Sequence, residues 1–142
     1  GVMGIFEASR AHMGRKNFQW FEVNGTKGSL RFELERMNEL NVYLSNDGED
    51  RRGFRNIIVT EEMHKYIKNW WPAGHMLGWE HTVLHQYYEF LKAVEGEYMP
   101  SPNFEDGMKA QRVLDAVVRS AEEKRWVAIV EIKGREEPGI RR

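Results

Sequence analysis

The sequence predicts an α+β fold, with an open, mostly antiparallel sheet and two helices packed on one of its faces. A change of period carries the prediction. Apolar and polar residues alternate up to about Thr60, as in half-buried strands, and from about Glu80 apolar residues recur at three and four, as on helices. Short turns between the alternating runs leave room only for hairpin-like links, hence antiparallel neighbours. With 142 residues, 41% hydrophobic and 12% aromatic, the chain can bury one sizeable core and reads as one domain.

"VMGIFEASR" opens as a strand in which Gly4 permits close packing or twist. "NFQWFEV" is a second, dense in aromatics, and "NGTKGS" reads as a hairpin turn whose glycines take positive φ without steric cost. Next comes the cleanest strand, where Leu30, Phe32 and Leu34 alternate with Arg31, Glu33 and Glu35. "ELNVYLS" sets Leu40, Val42 and Leu44 on one side, and the polar loop "NDGEDRRG" leads to "FRNIIVT". These make five strands in a meander.

Val83, Leu84, Tyr87, Tyr88, Leu91 and Val94 form the stripe of an amphipathic helix from about Glu80 to Val94, broken by "EGEYMPSP". Asn103 offers an N-cap oxygen to a second helix. Glu105 and Asp106 sit where its dipole favours negative charge, and Lys124 and Arg125 close its far end. Ala110, Leu114, Val117 and Ala121 are its predicted buried side. "WVAIVEI" reads as a strand re-entering the sheet, and residues 134–142, with Pro138, as a frayed charged tail after a domain spanning 1–133. With both helices on one face, the other sheet face lacks a cover. Phe18, Trp20 and Phe21 imply that both faces of their strand are apolar, so a partner on the sheet is expected, with self-association as its simplest form.

Composition removes several function classes. Basic residues number 21 against 22 acidic, and the nearest approaches to a basic stripe are Arg51-Arg52 and Arg141-Arg142, so nucleic acid is not the expected partner. Without cysteine there is no disulfide framework, thiolate zinc site or Cys nucleophile. No apolar run reaches the length of a membrane span and no signal peptide opens the chain, which agrees with a cytoplasmic protein and no membrane partner. An opening at Gly1 within a strand-like run suggests a fragment whose natural protein starts further upstream.

The densest chemistry lies in "WWPAGHMLGWEHTVLHQYYEFLKAV", Trp70 to Val94. His81 and His85 are four apart on the predicted helix with His75 one loop upstream, a spacing that admits a metal. The helical zinc hydrolase motif needs Glu directly after its first His, however, and Thr82 stands there. "GTKGS" lacks the strand–glycine–helix context of a dinucleotide loop. The acidic pairs Glu61-Glu62, Glu105-Asp106, Glu122-Glu123 and Glu136-Glu137 read as solvated charge or dipole compensation. Trp70, Trp71, His75, Trp79 and His81, gathered around Gly74 and Gly78, combine aromatic planes with polar tips that suit the C–H faces and hydroxyls of a sugar. Packing of the tryptophans beneath the loop, with the histidines solvating its rim, explains the same residues.

In order and spacing, "FEASRAHMGRKNFQWFEVNGTKGSLRFELERMNELNVYLSNDG", "WWPAGHMLGWEHT" and "PSPNFEDGMKAQRVLDAVVRSAEEKRWVAI" resemble the C-terminal domain of the glucose-fructose oxidoreductase, inositol dehydrogenase and rhizopine catabolism family, Gfo/Idh/MocA. The resemblance runs from about Gly1 to Ile129. It implies an N-terminal Rossmann domain binding NAD or NADP, a C-terminal domain shaping the substrate site, and an oligomer interface on the sheet. The glycine-rich nucleotide loop, the Glu-Lys-Pro segment with its catalytic lysine, and the Asp and His of the substrate site belong to parts of the family upstream of this chain. No catalytic, cofactor or metal residue carries over, and this chain alone is expected to bind no nicotinamide and to turn over no substrate.

The "GHMLGWEHT" loop is the element that transfers to the substrate side, with His75 first and Trp71, Trp79 and His81 behind it. The resulting expectation is the C-terminal domain of an NAD(P)-dependent dehydrogenase acting on a sugar, polyol or related small molecule. A stand-alone dimerisation or ligand-binding module is the competing class, and metal-assisted hydrolysis through His75, His81 and His85 a third.

Overall fold

The computed structural model describes residues 1–132, so the expected tail at 134–142 lies outside the described residues. The chain divides into two compact units, Gly1–Thr82 and a second from Val83 onward.

In the first unit four strands, β1 (Trp20–Gly25), β2 (Gly28–Glu33), β3 (Glu39–Leu44) and β4 (Arg55–Ile58), form a sheet in sequence order with every neighbouring pair antiparallel. Hairpin links between consecutive strands produce that order directly. The first hairpin turns through Thr26 and Lys27, and Gly28 follows because a Cβ there would stand 2.3 Å from the Tyr43 carbonyl oxygen.

Register sorts the side chains. Phe21 pairs with Phe32, Phe32 with Leu40 and Leu40 with Ile57, while Val23 pairs with Leu30 and Leu30 with Val42, so one face is apolar across the sheet. The Phe21 and Phe32 rings lie 5.6 Å apart. Trp20, Glu22, Arg31, Glu33, Glu39, Asn41 and Asn56 alternate onto the other face, where Arg31 stacks over Trp20 at 5.5 Å. The expectation that both faces of the first aromatic strand are apolar is corrected accordingly: Phe18 precedes the strand, and Trp20 shares its face with Glu22 and Asn24. At the edge of this face Phe21 is 52% and Val23 55% exposed.

Two expected strands do not form. Residues 1–17 make no sheet pairing, and Val2, Met3, Ile5 and Phe6 remain exposed. A strand gains its hydrogen bonds only from a neighbour, and among the described residues no segment of this arm reaches the open edge of β1 to make them. The end of the arm is tied down at Glu35, which accepts the N–H groups of Lys16 at 2.8 Å and Asn17 at 3.1 Å and pairs with Arg15 at 3.7 Å. At the other end, "WVAIVEI" yields a 3-10 turn at Ile129–Glu131. There the Glu131 carboxylate accepts the Ala128 N–H and pairs with Arg125, so local bonds replace a ladder.

Helix α1 spans Trp79–Val94 and α2 Phe104–Glu123. The Asn103 oxygen accepts the N–H groups of Glu105 and Asp106, the Asp106 carboxylate accepts that of Asn103, and Lys124 closes the helix in the left-handed region at φ 54°. The predicted buried side of α2 is corrected: Ala110, Leu114, Val117 and Ala121 are exposed, and the enclosed positions are Ala116 with Arg112, Val113, Arg119 and Ser120 around it. A stripe is buried only where something covers it, and the contacts of α2 run instead through Arg119 to Glu131. The stripe of α1 is exposed from Val83 to Val94 as well. Among the described residues, no helix is long and apolar enough to cross a membrane.

Candidate functional site

The aromatic loop is held at the end of β3 and β4. The ladder continues one step beyond the strands, where the Val59 N–H donates to the Asn38 carbonyl at 2.8 Å. The chain then turns through Thr60 and Ile67, which are 3% and 1% exposed, the most enclosed side chains of the first unit. Between them Tyr66 takes φ 74°, a conformation that costs an aromatic residue energy and that the surrounding turn must hold.

Three polar anchors fix the segment that follows. Asn38 donates Nδ2–H to the Leu77 carbonyl at 2.8 Å and accepts the Leu77 N–H at Oδ1 at 2.9 Å. A side-chain amide here completes both hydrogen bonds that a neighbouring strand would have made. The Thr60 hydroxyl accepts the Gly74 N–H at 3.0 Å, and Gly74 at φ 88° occupies a backbone state in which other residues are strained. Third, His81 Nδ1 accepts the Gly78 N–H at 3.1 Å at the mouth of α1. That nitrogen therefore carries no proton. The Glu80 carboxylate lies 3.4 Å from the same nitrogen.

Of the four residues singled out from sequence, His81 is drawn inward, its ring edge-on to Trp70 with centroids 4.4 Å apart. Trp71 and Trp79 are 52% and 58% exposed, and His75 is exposed as well. His75 is not loose, because its Nδ1 lies 2.9 Å from the Pro72 carbonyl oxygen. A carbonyl only accepts, so Nδ1 holds the proton. The loop thus presents two aromatic planes and one imidazole outward on a backbone pinned at Gly74 and Leu77. Among the described residues, no group of three or more His, Asp or Glu side chains could hold a metal ion.

Sequence reading missed Asn38, Thr60 and Ile67. Asn38 lies 39 residues from Leu77, and nothing in "RMNEL" marks it as a clamp, because a side-chain amide that caps a distant loop has no local spacing rule. Thr60 was visible only as the end of a strand.

A family model described as the oxidoreductase family, C-terminal alpha/beta domain, matches residues 1–129. Levoglucosan dehydrogenase of Pseudarthrobacter phenanthrenivorans is 38% identical over 133 residues, which are 93% of this chain and 34% of that protein. Among solved structures, an oxidoreductase domain protein from Kribbella flavida aligns at TM-score 0.79 and 44% identity, over 82% of this chain and 31% of its own. Levoglucosan dehydrogenase in complex with NADH and levoglucosan aligns at TM-score 0.78 and 38% identity, over 84% and 32%. The chain spans about a third of the length of these relatives.

Proposed function

The chain belongs to the oxidoreductase family as its C-terminal α/β domain, and we propose that residues 1–133 form the substrate-side and assembly part of a nicotinamide-dependent dehydrogenase acting on a sugar or polyol. The observation that carries this reading is the pinned aromatic loop, in which Trp71, Trp79 and His75 face outward from a backbone anchored by Asn38 and Thr60. Indole faces stack on sugar C–H surfaces while polar tips meet hydroxyls, and a rigid backbone reduces the ordering cost of binding. The family relationship and the NADH and levoglucosan bound by a relative at 38% identity support the same chemistry. His75 is the leading substrate-side residue, with Trp71 and Trp79 flanking it and His81 shaping the loop through its bond to Gly78.

In this reading a nicotinamide, NAD or NADP, bound by a Rossmann domain of the same protein accepts or delivers the hydride at a substrate carbinol carbon. The residues of this chain hold the substrate and exclude water, and its apolar sheet face joins a second copy in the cytoplasm. The test is nicotinamide reduction at 340 nm by the gene product as its cell makes it, supplied with levoglucosan and a panel of pyranoses and polyols. Sugar-dependent NADH or NADPH formation is the expected result. A gene product that binds sugar without binding nicotinamide would instead be a stand-alone binding module.

A further inference from the structure

We propose that His75 positions substrate as a hydrogen-bond acceptor, taking a sugar hydroxyl proton at Nε2; this rests on the substrate-side reading above. The tautomer carries the inference. With Nδ1–H committed to the Pro72 carbonyl at 2.9 Å, the neutral ring has its lone pair on Nε2. Among the described residues Nε2 meets no hydrogen-bond donor, and the side chain is exposed.

His81, six positions on, is used differently: its Nδ1 accepts the Gly78 N–H. One loop therefore contains one imidazole spent on capping α1 and another whose acceptor is turned outward. The Pro72 bond favours one orientation as well as one tautomer, because turning the ring to offer its N–H instead would break that bond. Thr60 and Asn38 hold the backbone on either side of His75, at Gly74 and Leu77.

The consequence is a rule about substrate. The group facing His75 must donate, so a hydroxyl is accepted while a fluorine, an O-methyl or a hydrogen at the same carbon is not. This differs from a site in which the imidazole donates, where fluorine retains part of the interaction.

The experiment uses the gene product as its cell makes it, with levoglucosan and its monodeoxy and monodeoxyfluoro analogues at each hydroxyl in turn. Expected is one position where both analogues lose about five- to tenfold in kcat/KM, the range of one neutral hydrogen bond. In His75→Asn the amide N–H can still reach the Pro72 carbonyl but no acceptor remains at Nε2. That variant should raise the sugar KM by the same factor, leave the nicotinamide KM and the Tm unchanged, and erase the analogue difference. His75→Gln, whose amide oxygen replaces the acceptor, should restore part of the loss.

Wild-type kcat/KM in His75→Asn, or a fluoro analogue that outperforms its deoxy partner at that position, overturns the acceptor role and leaves the dehydrogenase reading standing. A Tm that falls with a proportional loss for both substrates shows a purely structural histidine and also overturns it. A gene product that binds no sugar of the panel overturns both readings together.

Discussion

The Asn38 side chain meets both peptide groups of Leu77, donating at 2.8 Å and accepting at 2.9 Å, across 39 residues of sequence. It joins the start of β3 to the loop that opens α1 and satisfies two half-buried backbone groups that would otherwise lack protein partners. Asn38→Ala should cost about 2 kcal/mol, since each unsatisfied buried polar group costs about 1–3 kcal/mol and these are only half-buried. Chemical denaturation measures the cost, and limited proteolysis should cut first between residues 70 and 78. Unchanged stability with an uncut loop would show that Asn38 does not hold it.

Thr60 lies 3% exposed, with its hydroxyl accepting the Gly74 N–H. Thr60→Val keeps the shape but removes the acceptor, whereas Thr60→Ser keeps the acceptor. Hydrogen exchange at the Gly74 amide should accelerate about fivefold in the first variant, the equivalent of about 1 kcal/mol, and little in the second. Equal exchange in both would assign the anchoring to packing.

Asn103 caps α2 by accepting two N–H groups, with Asp106 returning the bond. Asn103→Ala should destabilise the helix by about 1 kcal/mol and Asn103→Ser by much less. Helical circular dichroism during thermal melting distinguishes them, and identical melts would mean that the half-buried cap contributes nothing.

Glu131 is held down to about 2 from the ordinary 4.5, first by its hydrogen bond with Arg125, then by the Ala128 N–H. Because the folded value is the depressed one, its contribution to the Ile129–Glu131 turn is fully present above the ordinary carboxylate range. That contribution is lost as pH falls from there through about 2. Carboxyl carbon chemical shifts should titrate near 2 in the wild type and move back toward 4.5 in Arg125→Gln. Titration at the ordinary value in both proteins would remove the pairing.

Phe21 and Val23 sit at the exposed edge of the apolar sheet face. If that face joins a second copy, sedimentation should become concentration-dependent in the wild type, and Val23→Glu should abolish the effect by placing an unpaired charge in the contact. A wild type that remains monomeric at every concentration would leave the face to another domain.

Local rules made much of the fold legible. Strand alternation placed Leu30, Phe32, Leu40 and Val42 on a single face, and the N-cap at Asn103 and the close near Lys124 match α2 to the residue. They failed where a segment depends on something outside itself. "VMGIFEASR" and "WVAIVEI" have strand composition, yet among the described residues neither pairs with the sheet, and Leu114 and Val117 form a stripe that stays exposed. At the candidate site, the aromatic and imidazole inventory of the loop was visible, but its anchors were not.

By itself, the sequence determined the α+β class, four of its six expected strands and both helices in order, and kinship with an oxidoreductase C-terminal domain. Class and element order follow from periodicity, capping residues and turn glycines that act within a few positions, whereas the kinship rests on the resemblance of whole stretches and the family match over residues 1–129. Tertiary structure alone decided that Asn38 reaches Leu77, that His75 Nδ1 meets the Pro72 carbonyl while His81 Nδ1 meets the Gly78 N–H, and that Trp20 and Phe21 part to different faces. These outcomes depend on hydrogen-bond partners and strand register, and both are settled only when distant backbone groups meet in space.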